Sequence, residues 1–277
     1  MLDSALPDVS ELLAAYDLQL RDYVHDRLPS GARVERDGPL RRLFGLGGRG
    51  FVVYRDLGGL ECADLDDLIA RQVRVFAERG ERFEWKLHGH DRPPDLPRRL
   101  LAAGFVPEDE ETVVIAPVGE VAGRLRLPDR VSLREVSERS DFDRIAAVQP
   151  DIWQEDDEPT WLAESLEAEK RADPHYLTVV VAEADRAVVC AAWVRFEHGT
   201  DFATLWGGGT VPAWRGRGVY RATVAYRANL AAERGFRFIE VDASSDSRPI
   251  LERLGFVAVT TTTPYVWSPP AVPVAKP

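Results

Sequence analysis

Six consecutive residues in the second half of this 277-residue chain, Arg215-Gly216-Arg217-Gly218-Val219-Tyr220, have the composition to bind an anion through the main chain. An apolar strand pattern, Phe202 to Val211, precedes them and contains Gly207-Gly208-Gly209; Pro212-Ala213-Trp214 then turns the chain. Val219, Thr223, Val224, Tyr226, Leu230 and Ala231 follow near a 3.6-residue period, the mark of a helix. Glycines between a strand and a helix let N–H groups converge on one point, and the positive end of the helix dipole adds to the attraction. Two arginines bring further positive charge, so the local chemistry is that of a phosphate or pyrophosphate site.

The ligand class narrows by elimination. The lysine and following Ser/Thr of a P-loop are absent, and so is the three-glycine dinucleotide fingerprint. The run resembles the pyrophosphate loop of the GNAT superfamily of N-acetyltransferases, Arg/Gln-x-x-Gly-x-Gly/Ala. Pro212 stands three residues before Arg215, as is common there, and the likeness continues through Arg237 to Asp242 and ends at Arg253-Leu254-Gly255-Phe256. One departure is Tyr220, where the family prefers Gly or Ala; its backbone donor survives, but its side chain must point away from a pyrophosphate. The resemblance covers about residues 130–268. It implies a mixed α/β, mostly antiparallel sheet flanked by helices, and acetyl-CoA as co-substrate with no metal. The coenzyme contacts it implies are Thr210, Val211, Arg215, Gly216, Arg217, Gly218, Val219 and Tyr220, with Ser244 and Ser247 further on.

In such an enzyme a neutral amine attacks a thioester carbonyl and a thiolate leaves. The protein orients the two, removes an ammonium proton and supports the developing charges. Many family members place a tyrosine five residues before the Phe of the Leu-Gly-Phe signature; here that position is Leu251, and a frequent Asn falls on Ser244. Tyr220, Ser247 and Tyr265 are the substitutes for the acid. Glu240 and Asp242 share one face of their strand and are candidate bases, as are Glu197 and His198. On the acceptor side the resemblance points to Gly208, and to Trp153 and Glu155 at the acidic run Gln154-Glu155-Asp156-Asp157-Glu158, where carboxylates favour a cationic amine. That run also reads as a plain solvated loop before a helix. A second overall reading is a catalytically decayed acyl-CoA-binding regulatory module.

Composition limits the alternatives. The chain is 45% hydrophobic and 29% charged, with a formal net charge of −11. That balance argues against nucleic acid as a partner and suits a small-molecule or peptide amine. Two cysteines, Cys62 and Cys190, read as reduced thiols. Leu2-Asp3-Ser4 carries an acid where a signal peptide would be basic, and no apolar run approaches a membrane span, so the expectation is a cytoplasmic monomer or homodimer.

The first half reads as a helix over 9–28, a loop over 30–50, a strand over 51–54, a helix from Asp64 to Arg79, a strand over 83–88, a helix over 96–103 and a strand over 111–118. Ala77-Glu78-Arg79-Gly80-Glu81-Arg82-Phe83 matches Ala232-Glu233-Arg234-Gly235-Phe236-Arg237-Phe238, and Gly104-Phe105 matches Gly255-Phe256. Two matches in the same order point to an internal duplication. The counterpart of Arg215–Tyr220 is Leu60-Glu61-Cys62-Ala63-Asp64-Leu65, whose acids would repel a pyrophosphate. The division that follows is a degenerate, truncated, non-binding copy over 1–118, a linker over 119–130, the complete copy over 131–268 and a disordered tail over 269–277. His88 and His90 read as a loop pair making local hydrogen bonds.

Overall fold

The computed structural model describes residues 8–47, 49–153 and 160–270. In chain order the elements are α1 (Val9–Gln19), β1 (Arg33–Asp37), β2 (Leu40–Phe44), β3 (Gly50–Val53), α2 (Cys62–Arg79), β4 (Phe83–His88), α3 (Leu96–Ala102), β5 (Val106–Pro107) and β6 (Glu111–Pro117). Next come α4 (Val118–Val121), β7 (Val131–Val136), α5 (Arg139–Trp153), α6 (Thr160–Ala172), β8 (Leu177–Ala184), β9 (Ala187–Phe196) and β10 (Phe202–Thr210). A 3-10 turn at Pro212–Trp214 leads to α7 (Val219–Glu233), β11 (Phe238–Ala243), α8 (Arg248–Glu252) and β12 (Val257–Trp267).

Two compact units result, one of residues 1–30 with 112–259 and the other of 31–111 with 260–277. The first has strand order β6-β11-β10-β9-β8-β7, antiparallel except for the parallel pair β10–β11. The second has β1-β2-β3-β4-β12 with β5 on β12, again antiparallel except for β3–β4. In each, the parallel pair is joined by a long helix, α7 or α2, because parallel strands need a crossover. The chain's two halves exchange their last strands. β6 follows the first half yet pairs with β11, and β12 follows the second yet pairs with β4.

The repeated residues make repeated hydrogen bonds. Gly80 (φ +64°) and Gly235 (φ +81°) end α2 and α7 in left-handed turns. Their amides donate to Ala77 and Ala232, and those of Glu81 and Phe236 to Phe76 and Ala231. Gly104 and Gly255 repeat the pattern, with Phe105 donating to Leu100 and Phe256 to Leu251.

In the first unit, alternation along the strands sorts residues onto two faces. Val194, Phe196, Ala203, Leu205, Ile239, Val241 and Ala243 pack under Val224, Ala228 and Ala231 of α7 and Leu251 of α8. On the other face Leu177, Val179, Val181, Ala191 and Trp193 pack under α5 and α6, and Val113, Ile115, Phe202 and Phe238 under Leu12 and Tyr16 of α1. Each fully buried side chain of this kind contributes about 1.5–3 kcal/mol relative to exposure.

Several boundaries differ from the sequence reading. Asp8 and Glu11 form a capping box at the start of α1, but the helix stops at Gln19 and does not continue to 28. Beyond it His25 leaves the helical path to stack on Tyr176, a tertiary contact that overrides the period. Residues 33–44, read as loop, form the hairpin β1–β2, so the first copy does possess an opening hairpin. Its β1 holds four charged residues and only Val34 as an apolar one, with little burial, which hides the strand. The stretch read as linker begins with α4, whose Val118 and Val121 are buried, and the Gly123 amide donates to Asn229 Oδ1 at 2.8 Å. α5 runs through Pro150 to Trp153 and buries Ile152 against β10. The expected tail lies largely outside the described residues.

A methyl group on Gly209 would collide with the Ile152 side chain. Gly209→Ala is therefore expected to destabilise the protein by about 1–3 kcal/mol, and by much less in an Ile152→Ala background. A double-mutant cycle in urea measures the coupling; simple additivity would show that the two do not meet.

Candidate functional site

β10 and β11 pair only at Phe202–Phe238, Ala203–Ile239 and Thr204–Glu240. Beyond Thr204 no pairing joins them, and the two strands part. β10 then bulges: Gly207 lies opposite Ala192 and Gly209 opposite Ala191, leaving Gly208 as the extra residue. Gly207 (φ +66°) and Gly208 (φ +82°) adopt a backbone that other residues resist. The glycines also leave room for neighbouring side chains. An added Cβ on Gly207 would lie 2.5 Å from the Trp193 ring, and one on Gly208 would lie 2.7 Å from that of Tyr220. The glycine run is plain in the sequence; these fillers are not.

The turn after β10 divides its polar groups between internal and outward roles. The Val211 amide donates to Val189 at 3.0 Å, so it is not available to a ligand. Arg215, expected to face an anion, is an internal clamp: Nε donates to the Thr210 carbonyl at 3.0 Å and Nη2 to the Ile152 carbonyl at 2.7 Å. Arg217 lies over the Trp214 ring, 4.9 Å from its centroid. Gly216 (φ +72°) and Gly218 (φ +86°) bend the chain into α7, whose N-cap is Gly218 with no side-chain cap and no acid in the first turn. Among the described residues nothing accepts a hydrogen bond from the amides of Gly216, Arg217 or Gly218. The first-turn amides of a helix, here those of Val219 and Tyr220 onward, have no intrahelical partner either. Five consecutive donors at the positive end of a dipole make an anion cradle. The start of α2 is the opposite case, with Glu61 at its N-cap and Asp64 in its first turn.

Tyr220 turns inward from this cradle onto Gly208. Burial pushes its phenol above the ordinary value; the Arg227 charge and a hydrogen bond from Ser247 oppose the shift. Ser247 and Ser244 close the start of α8, their hydroxyls 3.2 Å apart. The fold thus gathers Gly208, Tyr220 and Ser247 beside the gap between β10 and β11. Leu251, where the family's usual tyrosine would stand, is buried in the core beneath α7.

Arg227 was not singled out from the sequence. It is 1% exposed and donates from Nη1 to the carbonyls of Trp193 at 2.9 Å and Trp206 at 3.0 Å, and from Nε to Thr223 at 3.1 Å. Burial lowers its pKa, yet an arginine keeps its charge. Carbonyls at the bulge offset part of its desolvation, and the cation sits beside Gly208. The only forewarning was an arginine on the apolar face of a helix.

Glu240 and Asp242 lie on the opposite face of the sheet from α7, beneath α1, where both push the Tyr16 phenol further up after burial itself. Glu240 is 5% exposed and pairs in register with Thr204. Glu197 is buried and raised by desolvation, accepting from Tyr176 at 3.0 Å and Thr204 at 2.8 Å; Thr204 in turn accepts from the Trp206 indole at 2.8 Å. Glu155 and the Trp153 side chain lie outside the described residues. In the second unit Tyr265 is buried in a separate core, and His90 Nδ1 is 2.8 Å from Thr260 Oγ1.

The family profile described as Acetyltransferase (GNAT) family matches residues 142–256. A GCN5-related N-acetyltransferase from Kribbella flavida superposes with a TM-score of 0.65 at 17% identity, covering 98% of this chain and 99% of its own. A functionally unknown conserved protein from Staphylococcus epidermidis gives 0.62 at 12%, covering 88% and 96%. A tandem GNAT protein from the clavulanic acid biosynthesis pathway, solved without AcCoA, gives 0.58 at 14%, covering 94% of each chain. At these identities the likeness is one of fold. No curated protein matches. Among the described residues no helix is long and apolar enough to cross a membrane.

Arg215→Met removes two charged hydrogen bonds that tie the turn to α5 and β10. Thermal unfolding is expected to show a loss of about 1–3 kcal/mol. An unchanged midpoint would mean the guanidinium is not a clamp.

Proposed function

We propose, on the match of residues 142–256 to the acetyltransferase (GNAT) family profile, that this protein transfers an acetyl group from acetyl-CoA to a primary amine of a small molecule or peptide. The observation that carries the reading is the run of unaccepted amides from Gly216 into α7, placed beside the gap where β10 and β11 part. Those amides fit a diphosphate, and the gap beside the Gly208 bulge gives a pantetheine arm a path between strands.

Acetyl-CoA supplies the activated carbonyl and a thiolate leaving group. The chain's own residues do the rest. Backbone amides at the bulge and the Arg227 cation beneath it favour negative charge developing at the carbonyl oxygen. The Tyr220 phenol, raised by burial and so protonated through neutral pH, donates to the departing sulfur in place of the tyrosine that Leu251 replaces. Glu240, with Asp242 beside it on the strand, is the base that takes the ammonium proton, directly or through water. The acidic run from Glu155 draws the cationic amine. Ser244 and Ser247 position Tyr220 and border the coenzyme.

Purified protein incubated with acetyl-CoA and an amine panel should release free thiol with at least one amine. Tyr220→Phe should lower kcat about tenfold or more with little change in KM. Tight CoA binding without turnover on any amine would favour the decayed regulatory module instead. Gly218→Asp sets a carboxylate against the cradle and should abolish CoA binding in calorimetry; Gly218→Asn, equally strained but neutral, should weaken it far less. Equal effects would place the diphosphate elsewhere. Asp64→Asn, at the start of α2, should leave CoA affinity unchanged.

A further inference from the structure

Away from this site, three segments distant in sequence bring together His25, Asp173 and His198. His25 follows α1, Asp173 follows α6, and His198 lies in the turn between β9 and β10. One donor atom from each lies within 4.8 Å of the others. His25 Nε2 is 3.2 Å from Asp173 Oδ2, and His198 Nδ1 is 3.8 Å from the same oxygen.

His25 and Asp173 are both buried, 8% and 2% exposed. His25 Nε2 and Asp173 Oδ2 meet at hydrogen-bonding distance in poor alignment. Two ligand atoms of a tetrahedral zinc ion, each bonded at about 2.0–2.2 Å, lie about 3.3–3.5 Å apart, close to this separation. The remaining donor, His198, is exposed and lies within 4.8 Å of the other two, so its side chain must swing inward by up to about 1.5 Å to complete a tetrahedral set.

The surroundings hold the donors in place. The His25 ring stacks on Tyr176 with centroids 3.9 Å apart and planes 8° apart, and meets the His198 ring edge-on. Its other nitrogen, Nδ1, is 3.5 Å from the Tyr23 hydroxyl. The His175 amide donates to Asp173 Oδ1 at 2.9 Å, leaving Oδ2 for the cluster. Outer contacts of this kind orient the ligands of metal sites. Arg27 Nη1 is 3.8 Å from Asp173 Oδ2, but its side chain is 68% exposed and free to swing into solvent.

We propose that His25, Asp173 and His198 bind one divalent transition-metal ion, zinc by ligand type, with the fourth position open on the side of the exposed His198. Two imidazoles and a carboxylate suit zinc, cobalt or nickel better than magnesium or calcium. The ion ties the segment after α1 to the end of α6 and to the β9–β10 turn. This site is independent of the acyl-transfer reading.

The test uses the full chain stripped with EDTA and desalted, titrated with zinc chloride in calorimetry and with cobalt chloride by visible absorption. One zinc per chain is expected, together with the intense visible bands of four-coordinate cobalt and a rise in thermal midpoint. His198→Ala, at an exposed position, should weaken zinc binding by about tenfold or more and abolish that rise. Asp173→Asn should do the same wherever its circular dichroism matches wild type. His88→Ala/His90→Ala should change nothing. No uptake, or uptake that survives His198→Ala, overturns the proposal.

Discussion

The parting of β10 from β11 after Thr204 is the constraint on which the rest of the first unit depends. Two parallel strands in register would leave no gap, and the amides at the start of α7 would face a closed sheet. Two features keep the strands apart. The bulge at Gly208 redirects β10, and α7 packs through small residues, Ala228 and Ala231, close to the strands that remain paired. The Arg215 clamp then ties the turn to both Thr210 and Ile152. Outward-facing amides are therefore a consequence of how the apolar faces pack, not of a local preference of the glycines alone.

Burying Arg227 without an acidic neighbour is costly in isolation, since a charge leaves water. The carbonyls of Trp193 and Trp206 offset part of that cost at the bulge itself. An apolar residue there would leave those carbonyls without this donor. In the proposed acyl transfer, the same choice supplies a fixed positive charge that needs no reorganisation when negative charge develops beside it.

Much of this architecture was legible beforehand. β4 was read to the residue, and the glycines at 80, 104, 235 and 255 end helices in left-handed turns. The glycine–arginine turn before α7 was legible because it is a contiguous run. What escaped notice depends on tertiary context. β1 carries its charges on an exposed edge and so lacks an apolar signature. The exchange of β6 and β12 leaves no local trace, because strand pairing is set by tertiary contacts and not by the strand's own residues. Arg215 reads as ligand charge until its partners are seen, and Arg227 carries no mark beyond its place on the apolar face of α7. His25, Asp173 and His198 are separated by over a hundred residues of chain in one case, so no spacing rule joins them.

The repeated turns give the two halves matching helix ends, while the start of α2 carries acids where the start of α7 carries none. The most direct measurement is a crystal structure of the protein with CoA. The diphosphate oxygens are expected within about 2.7–3.2 Å of the amide nitrogens of Gly216, Gly218 and Val219, with the pantetheine arm in the gap beside Gly208. A diphosphate bound at the start of α2, or anywhere other than the first turn of α7, would contradict the account.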